Sequence, residues 1–82
     1  MNKYYKFIRD NKYNIEIRSQ KNHIYRIYLL KNNKRTGDFI EFKGYGGKEK
    51  LEERAKNVRE HTHLSYALHS IVEIIKEKQQ TQ

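Results

Sequence analysis

Eighty-two residues that are 35% apolar, 34% charged and net +8 allow one domain with one modest core. The absence of cysteine excludes a disulfide framework and thiolate chemistry, and no apolar stretch approaches the length of a membrane span. Ten aromatics argue against a disordered chain.

Met1 to Lys12 mixes Lys, Arg and Asp among its aromatics, unlike a secretory leader, so a cytoplasmic location is expected. Abundant Lys, Asn, Ile and Tyr suit an AT-rich genome of the kind that many phages and mobile elements carry. The charge is unevenly spread. Residues 1–50 hold thirteen Lys or Arg against five Asp or Glu, whereas residues 51–82 hold five of each. A cationic half attracts polyanions, of which nucleic acid is the most abundant inside a cell. A Lys-rich surface also keeps small proteins soluble, so charge alone does not decide the function.

Tyr4 to Arg9 is aromatic and β-prone and reads as a first strand, closed by the turn Asp10-Asn11-Lys12. Tyr13 to Arg18 alternates, with Tyr13, Ile15 and Ile17 on one face and Asn14, Glu16 and Arg18 on the other. Ser19 to Asn22 is a second turn. His23 to Lys31 carries apolar residues on both faces, which suits a central strand; His23, Tyr25, Ile27 and Leu29 form its expected core side. Asn32 to Gly37 reads as a polar loop, and Asp38 to Lys43 as a further strand. Three glycines within Gly44–Gly47 then break the pattern.

From Lys48 the period becomes helical, through Leu51, Ala55, Val58, Leu68, Val72 and Ile75. The choice is between one long helix and a break near His61 to Ser65, where Thr62 could act as N-cap. The expected fold is therefore α+β: an N-terminal antiparallel β-meander of three or four strands followed by a C-terminal helix, kinked or split in two. It forms a single domain, with a basic sheet part at 1–47, a helical part at 48–79 and a frayed tail at 80–82. Leu64, Leu68, Ile71, Val72 and Ile75 lie on a wide apolar arc. Either the chain's own core or a homodimer seam covers that arc.

Basic residues interleave with aromatics along the sheet part. Cations neutralise phosphates and release counterions, and exposed rings stack bases. The expected phosphate contacts are Lys6, Arg9, Arg18, Arg26, Lys34, Arg35, Lys43 and Lys48, with Tyr28 and Tyr45 as stacking groups. Arg26 and Tyr28 share a parity, so one face of their strand mixes charge and ring. Lys34 and Arg35 are expected at a hairpin tip. The glycine turn leading to Lys48 and Lys50 would present helix N-terminal amides to an anion, although the P-loop spacing is missing.

The stretch Gly44 to Val58 resembles the closing strand and basic helix start of double-stranded-RNA-binding domains, through Lys48, Lys50 and Ala55. Its spacing departs from that family's pattern, and the leading helix such domains need is not read in the sequence, so no family assignment is made.

Two other readings compete. A small interaction or inhibitor module, of the kind viruses and mobile elements encode, could use the same basic surface on a protein partner. A metal-dependent nuclease could use Glu41-Phe42-Lys43, a Glu-x-Lys on a strand, with Glu16 or Asp38 as second carboxylate. His61, His63 and His69 lack the spacing of a metal site, and no nucleophile elbow is present. The reading taken forward is a non-catalytic protein without cofactor that binds DNA or RNA.

Overall fold

Strand alternation in the middle of the chain produces a three-stranded antiparallel meander, with every helix on one side of it. The computed structural model describes residues 1–80, the side chain of Lys48 excepted. Its elements are α1 (Lys3–Asp10), β1 (Tyr13–Ser19), β2 (Ile24–Lys31), β3 (Lys34–Lys43), α2 (Lys48–Ala55) and α3 (His63–Gln80). The sheet order is β1-β2-β3, so the strand with apolar residues on both faces is indeed central.

The segment expected as a first strand is instead α1. The cause is local. The Asn2 side chain caps the helix, accepting from the backbone N–H of Tyr4 at 2.9 Å and of Tyr5 at 3.1 Å. Tyr5 and Ile8, three residues apart, are buried, while Tyr4 and Phe7 pack beside them. Asn2 is itself buried and tied to the far part of the chain. Its amide donates to the Val58 carbonyl at 2.9 Å, and its backbone N–H donates to the Lys56 carbonyl at 2.7 Å.

Ile17, Tyr25, Ile27, Leu29 and Phe42 line the inner face of the sheet. Ile8 of α1, Leu51 and Ala55 of α2, and Leu64, Ala67, Leu68, Ile71, Val72 and Ile75 of α3 close over them. The arc on α3 is wide because α3 meets β3, α1 and α2 together. Leu64, Leu68, Ile71, Val72 and Ile75 are all buried within the chain, so the homodimer seam expected there is corrected: these side chains form the core. The helical region does split, and Thr62 does cap α3, its hydroxyl accepting from the Ser65 N–H at 3.1 Å. Gln80, expected in a frayed tail, belongs to α3, and the Gln79 amide beside it donates to Asn11 Oδ1 at 2.7 Å. Residues 81 and 82 of that tail lie outside the described residues.

The β2–β3 connection is tighter than the expected loop. Asn32 and Asn33 both take positive φ, 54° and 62°, as a two-residue hairpin turn of primed type requires. Lys34 and Arg35 consequently lie on β3, not at a loop tip. A bulge follows, between the pairs Tyr28–Phe39 and Leu30–Arg35. Thr36 fills it, its hydroxyl donating to the Leu29 carbonyl at 3.1 Å.

Candidate nucleic-acid interface

Residues directly opposite in an antiparallel pair share a face, so the register assigns the outer surface row by row. One row is Arg18, Arg26 and Glu41; the next is Glu16, Tyr28 and Phe39. The parity reading for Arg26 and Tyr28 therefore holds. What the sequence does not reveal is how these groups use one another. Arg26 Nε donates to Glu41 Oε2 at 2.8 Å, and its guanidinium lies 4.4 Å from the Phe39 ring centroid. Hydrogen bonds to the Tyr28 hydroxyl and to Glu41 hold the Arg26 pKa above its ordinary value. Arg35 Nε donates to Glu16 Oε1 at 2.9 Å, and its guanidinium sits 3.8 Å from the Tyr28 centroid. Tyr28 and Phe39 are themselves 5.6 Å apart between centroids. The open face is thus a lattice in which each of these two arginines is neutralised by a glutamate and covers a ring.

A different arrangement forms at the end of the sheet where the β1–β2 turn meets the β3–α2 turn. The Gly44 N–H donates to the His23 carbonyl at 3.0 Å and joins the two turns. Arg18, Lys21, Lys43 and Lys50 come from β1, the β1–β2 turn, β3 and α2, and none makes an ion pair among the described residues. His23, expected in the core, is exposed. Its φ of 60° in the turn carries it off the inner face, and its ring meets that of Tyr45, centroids 5.2 Å apart. Tyr45 is 65% exposed.

Two glycines make this end. A Cβ on Gly44 would lie 3.0 Å from Tyr25 and 3.2 Å from both Leu51 and Phe42, so glycine lets α2 seat against the end of the inner layer without displacing those side chains. Gly47 precedes α2 with φ 85° and ψ 159°, a conformation open essentially to glycine alone. Lys48 opens α2, but its side chain lies outside the described residues.

The remaining expected contacts are dispersed. Lys6 is on α1 and pairs with Asp10 at 2.6 Å. Arg9 and Lys34 lie at the opposite end of the sheet, where Arg9, Lys12 and the two turn asparagines rim a shallow depression. Of the ten expected residues, the basic end gathers Arg18, Lys43 and Tyr45. Lys21, His23 and Lys50 join them. The signal for Lys21 and His23 was their place in the β1–β2 turn, and for Lys50 the helix start after the three glycines.

The carboxylates invoked for a nuclease do not face one another. Glu41 is held by Arg26, Glu16 by Arg35, and Asp38 by Lys78 at 2.8 Å. Among the described residues no group of three His, Asp or Glu side chains converges as a metal site. His69 stacks on Tyr4, centroids 4.7 Å apart, and contacts Glu73 at 3.2 Å on the exposed side of α3. No helix of the described residues is long and apolar enough to cross a membrane. No protein-family model, curated protein or solved structure matches the chain.

Proposed function

We propose that the protein binds nucleic acid without catalysis, through the basic end of its sheet. The observation that carries this reading is the contrast in pairing: Arg18, Lys21, Lys43 and Lys50 lie at one end of the sheet without carboxylate partners among the described residues, while Arg26 and Arg35 are already neutralised. Unpaired cations release phosphate counterions on binding, whereas paired ones must first give up an existing partner. The N-terminal amides of α2, with Gly46 and Gly47 before them, add donors on the same side.

The polymer favoured is a duplex. Guanidinium groups lie over Tyr28 and over one side of Phe39, so the open face offers little bare ring surface for stacking unpaired bases. In addition, α1 stands ahead of the sheet, where double-stranded-RNA-binding domains carry the leading helix that the resemblance at Gly44–Val58 lacked. Such domains read helical shape and phosphates more than sequence. One departure stands: α2 is eight residues long and gives way to α3.

Fluorescence anisotropy with labelled single- and double-stranded DNA and RNA, over a salt series, tests the reading. Binding with a steep log–log salt dependence, tightest for duplex RNA, is expected. No binding to any of the four at low salt rejects it and transfers the basic end to a protein partner.

A further inference from the structure

The two edges of the sheet are treated differently. The outward-facing amides of β1 are Tyr13, Ile15, Ile17 and Ser19, and the middle two find side-chain acceptors. The Ile15 N–H donates to the Asn14 side chain at 2.9 Å, and the Ile17 N–H reaches Glu52 Oε1 at 3.4 Å. On β3 the bond from the Gly44 N–H to the His23 carbonyl sets the phase of the ladder. The backbone groups of Phe39, Glu41 and Lys43 therefore point away from β2. None of their amides finds an acceptor among the described residues. Phe39 itself remains 41% exposed, with the Arg26 guanidinium over only one side of its ring. An open edge of this kind templates pairing with another strand.

We infer that β3 pairs antiparallel with β3 of a second copy of this chain, about a twofold axis through Phe42, giving a continuous six-stranded sheet. The choice of occupant comes from self-complementarity. In this register Glu41 lies opposite Lys43 of the second copy, and Lys43 opposite Glu41 of the second copy. These are outward-facing residues on both strands, so each pair exchanges both of its N–H···O bonds. Phe39 falls opposite Tyr45 of the second copy, and two exposed rings cover each other. Glu41 comes to lie between Arg26 of its own chain and the lysine of the other, a carboxylate between two cations. A shift of two residues toward the strand start sets Glu41 against Glu41, with like charges directly opposed, so the charges select the register. The bulge at Thr36–Asp38 limits the pairing to the second half of β3. A contact of this size is a weak one, with a dissociation constant in the micromolar range or above.

This inference does not depend on the nucleic-acid reading, but Lys43 and Tyr45 belong to both surfaces, so association is measured without nucleic acid. Sedimentation velocity is run on the native chain, on Glu41→Lys, on Lys43→Glu, on an equal mixture of the two, and on the double variant, up to about 1 mM protein. Circular dichroism confirms that each is folded. The expected result is a dimer for the native chain, monomers for each single variant, and dimers again for the mixture and for the double variant. A native chain that stays monomeric overturns the inference. So do single variants that dimerise as well as the native chain, or a mixture that fails to restore association.

Discussion

The open face and the basic end both carry cations and differ in what surrounds each one. On the open face Arg26 and Arg35 have a glutamate across the strand and a ring beneath. At the basic end Arg18, Lys21, Lys43 and Lys50 project from two strand ends, a turn and a helix start, with no carboxylate among the described residues held against them. The first arrangement uses charge to fix strand register and cover apolar surface. The second leaves charge available to an outside anion. A count of Lys and Arg along the chain treats the two alike; their pairing separates them.

Removing the basic end's support is expected to have the largest effect. Gly44→Val places a branched side chain against Tyr25, Leu51 and Phe42. Unfolding in urea should show a loss of about 1–3 kcal/mol, and nucleic-acid binding should fall with it as α2 is displaced. The opposite perturbation acts on the open face. Arg35→Gln removes the Glu16 pair and the cover over Tyr28, and should lower stability by about 1 kcal/mol. Nucleic-acid affinity should meanwhile stay within about twofold of the native value, measured by anisotropy at one salt concentration. Asn33→Gly relieves a positive φ in the tight turn far from the basic end. It should raise stability by at most about 1 kcal/mol and leave affinity unchanged.

The smallest effect is a pH effect. Hydrogen bonding to Asp38 raises the Lys78 pKa above its ordinary 10.5. The folded-state pKa lies above the unfolded one, so this contribution is fully present below the ordinary lysine value and is lost as pH climbs through the raised value. Thermal melting of Lys78→Met and the native protein should accordingly differ by the same small amount at pH 7 and pH 9, and converge only in more alkaline solution.

Period carried the sheet. Alternation at Tyr13–Arg18, the two-faced apolar pattern of β2 and the parity of Arg26 with Tyr28 were all legible, because a half-buried strand imposes its period of two on composition. Thr62 was legible as a cap for a similar local reason. α1 was misread because its residues are aromatic and β-prone. The stronger signals were Asn2 as a capping residue and the three-residue spacing of Tyr5 and Ile8. The hairpin tip was placed too late because Asn32-Asn33, a pair tolerant of positive φ, was absorbed into a longer polar run. The apolar arc on α3 suggested a partner, since nothing in one dimension shows that three elements of the same chain converge on it. Pairing of Arg26 with Glu41 and Arg35 with Glu16 depends on register across strands, which composition does not carry.

The most direct test compares two double variants on the same duplex RNA between about 50 and 200 mM salt. Lys21→Glu with Lys50→Glu alters the basic end, and Arg26→Gln with Arg35→Gln alters the open face. The basic-end variant should bind more than about tenfold more weakly, with a log–log salt slope reduced by about 2, while the open-face variant keeps the native slope. Equal losses in both variants, or a slope lost only from the open-face variant, would contradict the assignment of nucleic-acid binding to the basic end.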